Sequence, residues 1–131
     1  RNMTTILGID IGKSKTGIAR AQGKFTEPLT VIHEKNIEEL VKKIKGIAKE
    51  VRAEKVIVGI PEGDIEIYAK EVAQKLENLG VSTILWDETL TTKDAQEKAI
   101  EAGIPQKRRK SFEDAFAAAV MLQSYLDSSR V

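Results

Sequence analysis

Between residues 29 and 86 the chain alternates short apolar runs with longer amphipathic segments, and this alternation restricts the fold more than any other feature. Three runs, at 29–33, 55–60 and 81–86, have the β-branched and apolar character of strands. The segments between them, at 36–51 and 64–79, repeat apolar residues with helical spacing. Because strand, helix, strand, helix and strand follow one another, we expect right-handed crossovers and an α/β fold, a mixed sheet covered by helices.

Local signals mark the ends of these elements. Asn36 opens the first helix, with Glu39 three residues later in the manner of a capping box. Pro61 ends the second strand, Pro28 precedes the first, and Gly80 ends the second helix. After residue 86 the sequence predicts three further segments: a helical stretch at 92–102, a basic loop at 106–110 and a last helix from 111 to about 127.

Two further strands, at 4–10 and 16–22, precede this alternation. The link between them is short, so we expect them to pair as an antiparallel hairpin. Asp10 interrupts the first strand, and a buried carboxylate is costly unless a metal ion or hydrogen bonds compensate it. In the alternative interpretation, Asp10 caps its own turn. Three glycines of this stretch leave room for a close approach to the backbone or for a tight turn: Gly8, Gly12 and Gly17.

The composition excludes several classes of protein. With 131 residues, 41% hydrophobic and 31% charged, the chain fits one globular domain over residues 1–131, with Arg1 and Asn2 set aside as a candidate cloning remnant. The absence of cysteine excludes disulfides, thiolate catalysis and cysteine zinc sites. No apolar run approaches the roughly 18 residues of a membrane span, and no signal peptide precedes the first strand, so we expect a cytoplasmic protein with no membrane partner. The net charge is +1, so a nucleic-acid partner would need local positive charge.

Acidic residues occur at three positions that can converge. Asp10 ends the first strand, Asp87 and Glu88 directly follow the fifth, and Asp114 lies in the first turn of the last helix. Sites in α/β sheets gather beyond the carboxyl ends of the strands. Carboxylates brought together there repel one another unless cations hold them, and oxygen ligands suit Mg²⁺ or Mn²⁺. Taken singly, each acid also has a structural interpretation: Asp114 completes a helix cap begun at Ser111, and the pair after the fifth strand is solvated.

Several motifs together make the chain resemble a known family. They are GIDIG at 8–12 with TGIA at 16–19, IVGIP at 57–61, WDETLTT at 86–92 and EDAFAAAVMLQSYLD at 113–127. In this combination and order, over nearly the whole chain, they are similar to the YqgF family, also called the RuvX or pre-16S rRNA nuclease family. The resemblance implies a ribonuclease H-like fold, related to the RuvC Holliday junction resolvases. It also implies a five-stranded mixed sheet of order 3-2-1-4-5, with strand 2 antiparallel.

The same resemblance implies a metal-dependent endonuclease that cleaves structured nucleic acid, in pre-16S rRNA processing or Holliday junction resolution. Asp10, Glu88 and Asp114 match the acidic metal-binding positions of the family, with Asp87 as the alternative to Glu88. Two departures stand out. This chain has Thr89 where family members usually have arginine, and only residues 62–64 where the family has a longer loop.

The mechanism that follows is phosphodiester hydrolysis by water activated at two Mg²⁺ or Mn²⁺ ions. Asp10 would bridge the ions, and Glu88 and Asp114 would each bind one. We expect a surface or structural role for His33, and a core position for Trp86 rather than stacking on a base. Six basic residues are candidates for binding flanking phosphates: Lys13, Lys15, Lys107, Arg108, Arg109 and Lys110.

Two other functions are compatible with the sequence. The first is a nuclease-like module that binds nucleic acid without cutting it, which the two departures favour. The second is a nucleotide site like that of actin-like sugar kinases, whose phosphate loop is similar to residues 8–17; those enzymes need a second such domain. The sequence leaves a monomer and a homodimer open.

Overall fold

A computed structural model describes residues 4–23, 25–87 and 113–129. Its elements are β1 (Thr5–Asp10), β2 (Lys15–Gln22), β3 (Phe25–His33), α1 (Ile37–Glu50), β4 (Ala53–Ile60), α2 (Ile65–Asn78), β5 (Thr83–Asp87) and α3 (Glu113–Ser129). The predicted helical stretch at 92–102 and the basic loop at 106–110 lie outside the described residues. Among the helices that are described, none is long and apolar enough to cross a membrane.

The five strands form one mixed sheet of order β3-β2-β1-β4-β5. β2 is antiparallel to both of its neighbours, β1 and β3. β4 runs parallel to β1 and to β5. The predicted hairpin, the mixed sheet and the strand order are therefore confirmed.

Two layers of apolar side chains cover the two faces of this sheet. On the first face α1 and α2 pack against β1 and β4, because alternate residues such as Leu7, Ile9 and Val58 point to that side. On the second face α3 packs against small residues of β2 and against Ile57 of β4. The helix lies close to the sheet at Gly8 and Gly17, where an added Cβ would clash with it. The residues that α3 contributes to this layer are Ala118, Ala119, Met121, Leu122 and Leu126.

The first turn of α1 forms largely as its sequence predicts. The Asn36 side chain accepts a hydrogen bond from the Glu39 backbone N–H over 3.0 Å. The reciprocal bond of a capping box is replaced: the Asn36 N–H donates to the Glu34 carboxylate at 3.2 Å, and Glu39 pairs with Lys42 at 3.5 Å. The helix start is thus correct, and its second capping partner lies upstream instead of downstream.

The third strand begins earlier than its sequence predicts. β3 starts at Phe25 instead of residue 29, so the interpretation of Pro28 as a boundary is wrong. Proline is tolerated here because β3 is an edge strand, and because the register shifts beside it: Ile18 pairs with Thr30 but Ala19 pairs with Pro28. Leu29 is therefore the extra residue of a β-bulge.

The fifth strand begins later than predicted, at Thr83 instead of residue 81. The Val81 N–H donates to the Leu76 carbonyl at 3.0 Å, and the Gly80 N–H donates to the Glu77 carbonyl at 2.9 Å. Gly80 has a φ of +87°, so these bonds form a Schellman motif that ends α2 at the predicted glycine. Val81 belongs to this helix cap, and the strand can start only after it.

Candidate active site

Asp10 is the last residue of β1, and its side chain is directed to the face of the sheet that α3 covers. Along β1, Leu7 and Ile9 belong to the core under α1 and α2. Gly8 faces the other way: a Cβ built on it would lie 2.9 Å from Cβ of Leu122 in α3. Because side chains alternate along a strand, Asp10 lies on the same face as Gly8. It is partly buried there.

Gly17 brings the first turn of α3 to Asp10. Gly17 lies directly opposite Asp10 in the β1–β2 ladder, so the two residues share a face of the sheet. A Cβ built on Gly17 would lie 1.9 Å from the carbonyl oxygen of Asp114. The backbone at Asp114 therefore rests on the strand pair that carries Asp10, and the Asp114 side chain is partly buried. The predicted room beside Gly8 and Gly17 is occupied by α3 itself.

Gly12 shapes the hairpin that follows Asp10. A Cβ on Gly12 would lie 2.3 Å from the Lys15 carbonyl oxygen, so this turn needs a glycine. Lys13 and Lys15 are exposed on the hairpin, just beyond Asp10. The Glu34 N–H donates to the Ser14 carbonyl at 3.1 Å, which joins the hairpin to the end of β3. Two cationic side chains are thus held at the same end of the sheet as Asp10.

Asp87 lies on the opposite face of the sheet. It lines a cavity of about 440 Å³ together with Leu85 and with Glu66 and Lys70 of α2. The neighbouring Trp86 faces α3, where it packs on the core. The structure therefore brings Asp10 and Asp114 together but does not bring Asp87 to them. Glu62, in the short loop at 62–64, lines the same cavity as Asp87.

Other predicted site residues fall outside the described part of the chain. They are Glu88, Thr89, Lys107, Arg108, Arg109 and Lys110. Within the residues that are described, no group of three or more His, Cys, Asp and Glu side chains could hold a metal ion. Asp10 and Asp114 nevertheless have the donor chemistry of a hard-cation site. Carboxylate oxygens are ligands that suit Mg²⁺ or Mn²⁺.

Trp86, at the end of β5, is partly buried and packs against the core under α3. The rings of Trp86 and Tyr125 meet edge to face, with centroids 5.6 Å apart, as the core interpretation of Trp86 predicts. The indole Nε1 of Trp86 is buried and makes no hydrogen bond within the described residues. Lys55 lies over the other aromatic ring, with its Nζ 5.5 Å from the centroid of Tyr125. His33 is exposed at the end of β3, where it pairs with Lys15 in the β2–β3 ladder.

Comparisons with known proteins match nearly the whole chain. A family model described as "RuvX: Holliday junction resolvase" matches residues 4–128. A relative from Syntrophus aciditrophicus, named "Putative pre-16S rRNA nuclease", is 36% identical over 94% of this chain and 88% of its own. One of the same name from Caldanaerobacter subterraneus is 38% identical over 95% and 97%. Among solved structures, T. thermophilus RuvC in complex with a Holliday junction substrate aligns with a TM-score of 0.62 at 16% identity, covering 96% of each chain. This likeness and the sheet order confirm the ribonuclease H-like fold.

Proposed function

Because the chain belongs to the RuvX Holliday junction resolvase family, we propose that it is a metal-dependent endonuclease acting on structured nucleic acid. The observation that carries this proposal is the meeting of Asp10 and Asp114 over Gly17. Two acidic residues separated by about a hundred positions in sequence share one face and one end of the sheet. A structural role at the start of α3 would account for Asp114, but it would not account for a second acidic residue at the strand end on which this turn of the helix rests.

In this proposal Asp10, Glu88 and Asp114 would together hold two Mg²⁺ or Mn²⁺ ions. Bound ions would supply Lewis-acid chemistry, activating water and stabilising charge on the oxygens of the scissile phosphodiester. The protein fixes the two described ligands on rigid elements, Asp10 at a strand end and Asp114 on a helix. Such placement reduces the reorganisation needed when a substrate binds.

The hairpin lysines have a binding role. Lys13 and Lys15 would contact phosphates on either side of the cleaved bond, which fixes the register of the substrate. The basic run at 107–110 would extend this contact. The chain has one histidine, His33, and the proposed reaction assigns it no role. Proton transfer in this proposal therefore involves water and the carboxylates.

The substrate classes follow from the relatives. Those at 36% and 38% identity are named for pre-16S rRNA, and the aligned RuvC structure contains a Holliday junction. We propose RNA precursor and four-way junction as the two substrates to compare first. Both polymers would be met in the cytoplasm, where we propose that the protein acts.

The test is cleavage of a labelled panel comprising rRNA precursor, four-way junction and single-stranded DNA, with Mg²⁺ or Mn²⁺ and with EDTA. Asp10→Asn and Asp114→Asn should each abolish cutting and the rise of Tm that Mn²⁺ causes in the wild type. Asp127→Asn is the matched control, because it makes the same change at the other end of α3. The Asn oxygen can still accept the 3.0 Å hydrogen bond from Gln123.

Each outcome decides between functions. Metal-dependent cutting that Asp10→Asn removes and Asp127→Asn retains supports the nuclease. Nucleic acid that binds but stays intact with both metals contradicts the nuclease and supports the non-catalytic binding module. A Tm that rises equally with Mn²⁺ in wild type and Asp10→Asn contradicts the proposed ligand set.

A further inference from the structure

A groove of about 540 Å³ runs between α1 and α2, on the face of the sheet opposite Asp10. Its floor is apolar, with Val41 from α1 and Leu79 after α2. Four lysines line it, and we call it the lysine groove: Lys42, Lys45, Lys49 and Lys75. None of these residues has a part in the site described above.

Positive charge is concentrated in the lysine groove. Its four lysines face one carboxylate of the lining, that of Glu38, which leaves a net charge of +3 where the whole chain has +1. Lys75 binds Glu38 at 2.7 Å, and Lys42 pairs with Glu39 at 3.5 Å. Lys45 and Lys49 form no ion pair within the described residues, and both are exposed. The groove therefore offers cations to an anionic partner.

The arrangement of these lysines is regular. Lys42, Lys45 and Lys49 follow spacings of three and four residues, so they form one stripe along α1. Favourable interaction with the helix dipole accounts for cations in the last turn, namely Lys49 in α1 and Lys75 in α2. It does not account for Lys45, which lies a full turn earlier. A row of cations at near-regular spacing suits a polymer of regularly spaced anions.

Gly46 is an independent sign of a partner at this groove. It lies inside α1 between Lys45 and Lys49, and a Cβ built on it would meet nothing within 4 Å. Alanine would fit there and would favour the helix, so neither packing nor backbone conformation requires the glycine. Gly46 also lines the groove. The missing side chain allows another molecule to approach the α1 backbone closely between two cations.

We propose that the lysine groove binds the sugar–phosphate backbone of the nucleic-acid substrate at a point remote from the cleaved bond. The identity of this partner rests on the proposed function. Lys45 and Lys49 would each neutralise a phosphate. The missing side chain of Gly46 would leave room for the sugar–phosphate backbone between these two lysines. Because the groove is remote from Asp10, it contributes to substrate affinity and not to the chemical step. Replacing Lys45 and Lys49 should therefore raise the KM for the nucleic acid and leave kcat unchanged.

The test measures binding of a fluorescein-labelled stem-loop RNA by fluorescence anisotropy over a range of salt concentrations, in EDTA so that nothing is cut. The double variant Lys45→Ala/Lys49→Ala should bind roughly tenfold or more weakly. The slope of log K against log salt should fall by about 1.4 to 1.8, since each phosphate contact contributes about 0.7 to 0.9. Lys70→Ala is the matched control, a lysine of α2 outside the groove whose charge Glu66 already pairs at 2.9 Å. It should leave affinity and slope unchanged.

Gly46→Ala gives a second and sharper result, because two readouts should move in opposite directions. The variant should have a higher Tm than the wild type and should bind the RNA more weakly. A higher Tm with unchanged affinity overturns the role of Gly46. An unchanged affinity and salt slope in the double lysine variant overturns the groove as a nucleic-acid site.

Two further outcomes separate this inference from the proposed function. A wild type that cuts nothing but loses RNA affinity in the double variant contradicts the nuclease and supports the groove. A labelled polyglutamate peptide that binds as tightly as the RNA, and competes with it, overturns the assignment of the groove to nucleic acid. In a wild type that does cut, a fall of kcat in the double variant overturns the separation of binding from chemistry.

Discussion

Gly17→Ala is the change that most directly tests how this protein positions its acidic residues. The new Cβ would lie 1.9 Å from the Asp114 carbonyl oxygen, 2.3 Å from its carbonyl carbon and 2.8 Å from the Ala115 nitrogen. Real Cβ contacts are essentially never under 3.0 Å, and ordinary contact begins at 3.4 Å. The first turn of α3 and β2 must therefore separate by 1.1 Å to reach 3.0 Å, and by 1.5 Å to reach 3.4 Å. The obstructing atoms are backbone, so no rotamer change relieves the clash.

This displacement is large enough to slow catalysis strongly, but small enough for the protein to remain folded. A misplacement of about 1 Å can cost about 100-fold in rate, because reacting groups must be held in near-attack geometry. Overpacking typically costs about 1–3 kcal/mol of stability. For a domain of this size we expect a fall of Tm of about 4 °C per kcal/mol. Gly17→Ala should therefore remain folded at 25 °C, with cleavage at least about 100-fold slower and a smaller rise of Tm on adding Mn²⁺.

Gly8→Ala is the matched control for this experiment. It adds the same methyl group under the same helix, but its Cβ would meet Leu122 Cβ at 2.9 Å, so a shift of 0.1 Å reaches 3.0 Å. That contact also lies two helical turns from Asp114. We expect a smaller loss of stability and a rate within a few-fold of the wild type. The assays are circular dichroism melting and single-turnover cleavage of the best substrate of the panel.

The reasoning is refuted if Gly17→Ala, folded, cuts as fast as the wild type. It is equally refuted by a Gly8→Ala variant that loses as much activity as Gly17→Ala. In the first case the position of the α3 backbone does not control the site. In the second case, any displacement of α3 would slow cleavage to the same extent, whether or not the substituted residue contacts Asp114.

Three further predictions concern stability. Asn36→Ala removes the 3.0 Å cap bond to the Glu39 N–H and should cost about 1 kcal/mol, measured by urea denaturation. Gly80→Ala places a side chain at a φ of +87° and should cost about 1 kcal/mol or more, whereas an asparagine there should cost less. The hydrogen bond from Lys43 holds the pKa of Glu34 below its ordinary value of 4.5, so this pair stabilises the fold above about pH 4.5 and the contribution disappears as the pH falls through the lowered pKa. Lys43→Ala should return the Glu34 pKa towards 4.5 in an NMR titration and make the acid side of the stability profile less steep.

The sequence predicts most of the fold because the relevant signals are local. Helical spacing, the β-branched runs, Asn36 and Gly80 each act over a few neighbouring residues. Two of the wrong strand boundaries, the starts of β3 and β5, have tertiary or capping causes. Pro28 indicates a break, but an edge strand with a bulge accommodates it. Val81 has the character of a strand residue, but the helix cap uses its N–H before the strand begins.

The candidate site is predicted only in part. Asp10 and Asp114 can be identified as candidate site residues from the sequence, because Asp10 interrupts an apolar strand and Asp114 lies in the first turn of an apolar helix. Their convergence depends on a contact between residues about a hundred positions apart, and Gly17 shows only that some neighbour comes close. The sequence could have shown that Asp87 faces away from α3. Trp86 is predicted to lie in the core, and neighbouring side chains of a strand point to opposite faces of the sheet. The lysine groove has a visible stripe on α1, but its other wall belongs to α2, and sequence alone does not bring the two together.

The position of Asp114 follows from the docking of the whole of α3 and not from a local loop. The first turn of α3 packs against Gly17, and the middle of the helix packs against Gly8. Farther along, Thr26 of β3 donates a 3.1 Å hydrogen bond to the part-buried Gln123 side chain. These contacts lie on three different strands, so a rigid helix cannot adjust at one without moving at the others. The backbone at Asp114 is therefore set in place by contacts that themselves bind no ligand, and a change elsewhere on α3 should affect the site in proportion to how far it displaces the helix.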